Sequence, residues 1–165
     1  MTKSKKISAG ILLYRLNLGQ ISFFLVHPGG PFFKNRDNGV WSIPKGEIDG
    51  EIDFFSTALR EFEEEVGLAL KLKPADQLLP LEPIVQKNNK IVQAWACLEP
   101  TDLIPKNFKP KSNLCEIEWP PRSGQKRLVP EVDQAEFFPS AIAKIKINPT
   151  QINLIEQVEN YLKDK

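Results

Sequence analysis

Residues 46–68 read GEIDGEIDFFSTALREFEEEVGL. The first half is a turn carrying Gly46 and Gly50. The second half predicts a helix over Phe54–Val66, with Ser56 and Thr57 early in it and Gly67 as its stop. With one residue every 100° or so around the axis, Phe55, Ala58, Leu59, Phe62 and Val66 fall in one apolar stripe that must face a core. Glu61, Glu64 and Glu65 share a separate arc roughly 100° wide by the same geometry, and Glu63 lands on the opposite flank. Like charges at these spacings cost a helix about 0.2–0.5 kcal/mol per pair. Arg60, one turn before Glu64, offsets part of that, and a bound cation would offset the rest. Mg²⁺ prefers carboxylate and water oxygens and shares itself with substrate phosphates, which suits a face of three glutamates. For an acidic helix face taken alone, plain solvation is the alternative.

Working outward, residues 7–15 and 21–27 predict two strands joined by a turn at 17–20, a hairpin. HPGGPFFKNRDNG follows as a glycine- and proline-punctuated loop, and residues 40–43 predict a short strand entering Pro44, Lys45 and Gly46. Beyond the helix, residues 81–86 and 90–98 predict a second hairpin around KNN. Residues 114–119 predict a strand, PPRSGQKR a loop, 136–138 a last short strand, 140–147 a short helix and 150–163 an amphipathic C-terminal helix. Strands outnumber helices, and hairpins stand on both sides of the main helix. That pattern is α+β, with a mixed β-sheet sandwiched between α-helices in one domain over residues 1–165.

The composition agrees with one soluble globular domain. Of 165 residues, 41% are hydrophobic and 26% charged, enough for a sizeable core. A formal net charge of +1 with dispersed Lys and Arg argues against stable nucleic-acid binding. The apolar run after the N-terminal lysines breaks at Tyr14 and Arg15, so no signal peptide is expected. No apolar run is long enough for a membrane span. Cys97 and Cys115 lack CxxC spacing, and buried thiols in a reducing cytoplasm are expected.

The helix and its lead-in resemble the signature box of the Nudix hydrolases, G-x5-E-x7-R-E-U-x-E-E-x-G-U, where U is apolar. Gly46 fits the first glycine, and Arg60, Glu61, Phe62, Glu64, Glu65, Gly67 and Leu68 fit the second half in register. Ile52 stands where the box expects its first glutamate; Glu51, one residue earlier, is the candidate for that turn-supporting role. The resemblance implies a Nudix fold, Mg²⁺ or Mn²⁺ as cofactor, and hydrolysis of a diphosphate linkage in a nucleoside diphosphate joined to another group. It implies Glu61, Glu64 and Glu65 as metal ligands, with the Gly46 carbonyl, and Arg60 orienting a glutamate. The cations would neutralise phosphate oxygens and lower the pKa of the attacking water. Family members take their general base either from the box or from a later loop. Glu131 and Asp133 stand where such a loop acid occurs, against the alternative of an ordinary acidic turn.

Lys45 and Arg36 are candidates to meet a phosphate, His27 to touch one or shuttle a proton, and Trp41 to stack on a base. For His27 and Trp41 a structural role is the alternative, as it is for Trp95. Gly29 and Gly30 suit either a phosphate or a plain turn. The WSIPKG lead-in is similar to family members that cleave diadenosine polyphosphates, and Pro83 to those that cleave ADP-ribose. A dinucleoside polyphosphate is therefore the leading substrate, with ADP-ribose or nucleoside triphosphates as alternatives. A nucleotide-binding regulatory module of the same fold, or an unrelated scaffold with a soluble acidic face, are the rivals. The oligomeric state is left open.

Overall fold

The sheet is organised on β1 (Ile7–Asn17), because its two halves have different neighbours. The computed structural model describes residues 4–50, 53–72 and 78–165. Along one edge β1 pairs in parallel with β6 (Ile91–Leu98), from Ile7↔Ile91 to Tyr14↔Leu98. Along the other edge its C-terminal half pairs antiparallel with β2 (Gln20–Pro28), and its N-terminal half pairs instead with β3 (Lys45–Glu47), Ala9 opposite Gly46. The split leaves β3 as a short inserted strand beside β1, and the acidic helix lies against it.

β4 (Leu78–Pro80) and β5 (Ile84–Val85) both pair antiparallel with β6, and β9 (Val132–Pro139) closes the other edge on β2. β7 (Leu114–Glu118) and β8 (Lys126–Pro130) form a separate two-stranded ribbon. The alternation of β1 and β2 divides the core. Ile11, Leu13, Phe24 and Val26 face α1 (Phe54–Val66), which contributes Ala58, Phe62 and Val66. Leu12, Phe23 and Leu25 face the other way, onto α2 (Ser140–Lys146) and α3 (Ile152–Lys163), which supply Ala143, Leu154, Ile155 and Val158. The expected mixed sheet between helices is what the chain builds, and α1 has the bounds its periodicity predicts. Its N-cap is Asp53, whose carboxylate accepts from the Ser56 N–H at 3.1 Å, and Gly67 ends it in the left-handed region.

Other expectations need correction. Residues 40–43 form no strand; they make two isolated bridges, Val26↔Ser42 and Trp41↔Ile147, and the strand lies just beyond, at Lys45–Glu47. The partner of β6 is broken into β4 and β5 rather than running through 81–86. The end of PPRSGQKR is not loop: Lys126 and Arg127 open β8. All of β8 is solvent-facing except Val129, so it shows none of the alternation that marks a half-buried strand. The last strand is longer than 136–138, because all of Val132–Pro139 finds partners on β2. Neither Cys97, which is buried, nor Cys115, which is half-buried, is in a disulfide.

The β1–β2 turn places Leu18 and Gly19 at φ 49° and 80°, the signs a type I′ hairpin requires. Leu18 is 99% exposed and gains no packing in return for a left-handed conformation. Leu18→Asn should raise stability by about 0.5–1 kcal/mol, read as a shift of the urea midpoint without a change in slope.

Candidate functional site

Gly46 sits in β3 directly opposite the helix position Glu61. A methyl group built on its Cα would overlap the Glu61 carboxyl, so glycine is needed here for close approach, not for its φ. Across this contact the two adjoining residues of β3 and α1 also meet: the Lys45 backbone N–H donates to Glu65 Oε2 at 3.3 Å. Arg60 reaches forward along the helix and holds two of the acids, Glu61 Oε1 at 3.0 Å and Glu64 Oε1 at 2.9 Å. Glu63 is exposed on the far flank, as the helical geometry predicts.

The fourth acid comes from far along the chain. Glu131 lies at the bend between β8 and β9 and lines the same cavity of about 550 Å³ as Lys45, Gly46, Arg60, Glu61 and Glu65. Its backbone is tied to the acidic helix by a relay. Asn113 N–H donates to the Glu64 carbonyl at 2.8 Å, and Glu131 N–H donates to the Asn113 carbonyl at 2.9 Å.

The electrostatics follow from gathering acids in a half-buried space. Burial pushes the Glu65 carboxyl up to about 8, against the pull of Lys45. Glu61 is raised by burial and by the charges of Glu64 and Glu131, with Arg60 opposing. Glu131 is raised by burial and by Glu64. Burial also lowers the Lys45 ammonium, with Glu65 opposing. The site is thus short of positive charge. Among the described residues no three acids already stand in coordinating positions, and Glu61 and Glu64 are turned onto Arg60. The donor set still fits a hard divalent cation: carboxylate oxygens that raise one another's pKa, and a backbone cradle at Gly46 that a side chain would fill.

The remaining candidates fall elsewhere. Trp41 is 3% exposed; its indole N–H donates to Asp37 at 2.8 Å, and its ring lies edge-on to His27 and Phe138. It is a core residue, because the bridges of 40–43 turn it inward, and the expectation that it stacks on a base is corrected. Trp95 likewise packs, against Phe55 of α1. His27 is 2% exposed, with Nδ1 at 2.7 Å from Asp133 Oδ1 and Nε2 at 2.7 Å from the Arg36 carbonyl. Both nitrogens are occupied, so it neither touches a phosphate nor shuttles a proton in this arrangement. Asp133 is therefore committed to His27, and of the two loop acids only Glu131 joins the cavity. Arg36 is exposed and lies over the Phe32 ring at 4.1 Å, in a second cavity of about 360 Å³ with His27, Trp41 and Lys146. Glu51, the candidate for turn support, and Ile52 lie outside the described residues. Sequence reasoning missed Glu47 and the two lysines that meet it. Glu47 lines the cavity and pairs with Lys6 at 3.4 Å and Lys90 at 3.5 Å. Only the pairing of β1 with both β3 and β6 brings these residues together, and no local motif announces it.

Comparison with known proteins adds to this geometry. The family model for the NUDIX domain matches residues 4–158. A search of curated protein sequences finds no match. Among solved structures, a Caenorhabditis elegans Ap4A hydrolase in a binary complex is similar with a TM-score of 0.60 at 20% identity, over 96% of this chain and 99% of that one. The NUDIX domain of Shewanella oneidensis NrtR, complexed with ADP ribose, gives 0.60 at 16% identity, over 98% and 90%. A mutT/nudix family protein from Listeria innocua gives 0.62 at 14%, over 99% and 97%. At these identities the structures show a shared fold.

Gly46→Ala should expel the Glu61 carboxyl from the cavity. We expect turnover to fall by about 10-fold or more while the melting temperature drops only a few degrees, measured by steady-state kinetics and thermal unfolding. The pH dependence of the metal-free protein follows from Glu65. Its folded pKa of about 8 lies above the ordinary value of 4.5, so folding favours the protonated form. Stability from this group is therefore present below the ordinary value and is lost as pH rises between 4.5 and about 8. Glu65→Gln should flatten that decline, and added Mg²⁺ should oppose it, both read from melting temperature against pH.

Proposed function

The chain belongs to the Nudix family of pyrophosphohydrolases, and we propose that it cleaves the diphosphate linkage of a dinucleoside polyphosphate with the help of Mg²⁺ or Mn²⁺. The observation that carries this reading is the convergence of Glu61, Glu65 and Glu131 on one cavity around Gly46, with Glu64 close enough for its charge to raise Glu61 and Glu131. Glu61, Glu64 and Glu65, with the Gly46 carbonyl, would hold the metal. When bound, the divalent ion supplies neutralisation of phosphate charge and acidification of water. Arg60 keeps Glu61 and Glu64 on one side of the site and limits their mutual repulsion. Lys45 lines the cavity and favours an anionic substrate, and Lys6 and Lys90 pair with Glu47 at its edge.

In the reaction, a water oxygen attacks phosphorus in line, the phosphorus–oxygen bond to the departing phosphate breaks, and a water proton must be removed. Glu131 is the acceptor we assign. Its carboxyl is raised above the ordinary range by burial and Glu64, which brings it closer to the pH at which it must take a proton. It hangs from a bend and not from α1, so it would be left to take a proton while the helix carboxylates hold the metal. The dinucleoside polyphosphate leads because of the WSIPKG lead-in and because the fold neighbours include a C. elegans Ap4A hydrolase. ADP-ribose, present in the NrtR complex, is the next substrate to test. We read residues 1–165 as one domain. We place it in the cytoplasm, the location that fits the family.

The test is turnover of diadenosine tetraphosphate, ADP-ribose and nucleoside triphosphates with Mg²⁺ or Mn²⁺, with product nucleotides separated and counted. Diadenosine tetraphosphate should give the highest kcat/KM, and Glu64→Gln should lower it by about 100-fold or more. Nucleotide binding without turnover of any substrate would instead identify a regulatory module.

A further inference from the structure

Gly29 and Glu131 pair through a register that is irregular just before them. His27 opposes Gln134 on β9, but Pro28 opposes Val132, so Asp133 is an extra residue in a β-bulge. Its side chain is the one drawn to His27. The His27 Nε2–H donates to the Arg36 carbonyl, which can only accept, so a proton lies between Nδ1 and the Asp133 carboxylate across 2.7 Å. The ring is buried and held edge-on by Trp41, leaving it one orientation. Beyond the bulge the ladder resumes: Pro28 has no N–H, and Gly29 N–H donates to the Glu131 carbonyl at 3.0 Å. A side chain at Gly29 would overlap that Pro130 carbonyl region, so the approach needs glycine. Ser112 Oγ accepts from Val132 N–H at 3.1 Å and fixes the next peptide.

We propose that His27 and Asp133 are positioning residues that pin this bulge and thereby set Glu131 opposite the carboxylates of α1. This rests on the assignment of Glu131 as the proton acceptor. Without the pinned residue, β9 takes the regular register on β2, Gly30 rather than Gly29 comes opposite Glu131, and the carboxylate moves by one residue, roughly 3.3 Å. That is enough to take it out of hydrogen-bond reach of the water it must deprotonate. A hydrogen bond between a buried histidine and the bulged residue, outside the cavity lining, thus controls the geometry inside the cavity.

The two amide replacements of His27 separate positioning from bulk stability. Asparagine places its amide where Nδ1 stands and keeps the Asp133 bond; glutamine places its amide where Nε2 stands and keeps only the Arg36 bond. With Mg²⁺ and diadenosine tetraphosphate, we expect Asp133→Ala and His27→Gln to lower kcat about 10-fold with KM unchanged, and His27→Asn to retain most of it. In a Glu131→Gln background, Asp133→Ala should cost nothing further, because the residue it positions is already gone. Thermal melting of all variants accompanies the kinetics. Equal losses for His27→Asn and His27→Gln, or an additive loss in the Glu131→Gln background, would overturn the positioning role. An unchanged kcat for Glu131→Gln alone would overturn the assignment of Glu131 on which it rests.

Discussion

The Glu61 carboxyl lies directly against the backbone of Gly46, and that contact requires β1 to change partners midway. Where β1 leaves β2, the short strand β3 takes its place and presents a residue without a side chain to the acidic helix. The apolar stripe of α1 fixes the helix rotation by burying Ala58, Phe62 and Val66 against Ile11, Leu13 and Phe24. With the stripe buried, Glu61 and Glu65 turn toward β3, and Glu64 stays beside them on Arg60. Core packing on one side of the helix therefore aims the acids on the other.

Charge balance explains the rest of the site. Four carboxylates share a half-buried space with one guanidinium, and burial with mutual repulsion raises three of them. Such an arrangement is unfavourable until protons or a divalent cation compensate it. The lysines do not fill the gap: Lys45 is buried and lowered, and Lys6 and Lys90 are spent on Glu47 at the rim. A cation on the acids would supply the positive charge that a phosphate chain needs there.

What the sequence discloses follows from how local each feature is. α1 and the divergence of Glu63 are set by helical period and match; of the stripe, Ala58, Phe62 and Val66 are fully buried, Phe55 and Leu59 half-buried, and Thr57 is buried beside them. The β1–β2 hairpin is legible as two near-continuous apolar runs around a turn, since both faces of each strand are buried. β8 is not, because only Val129 is covered. Trp41 and His27 were candidates for substrate contact by residue type, but chemistry without position misleads: the bridges of 40–43 and the bulge at Asp133 turn both into the core. Glu131 and Asp133 look alike in VPEVDQAEFFP, and pairings with Asn113, Gly29 and His27, all distant in the chain, decide which one enters the cavity.

The central claim is that side-chain oxygens from α1 hold divalent ions that draw in a pyrophosphate. Crystals grown with Mn²⁺ and a nucleotide, measured for anomalous scattering, test it most directly. A peak beside Glu61, Glu64 and Glu65, next to the phosphate chain, is the expected result. Clear density for nucleotide with no anomalous peak at those three carboxylates would contradict it.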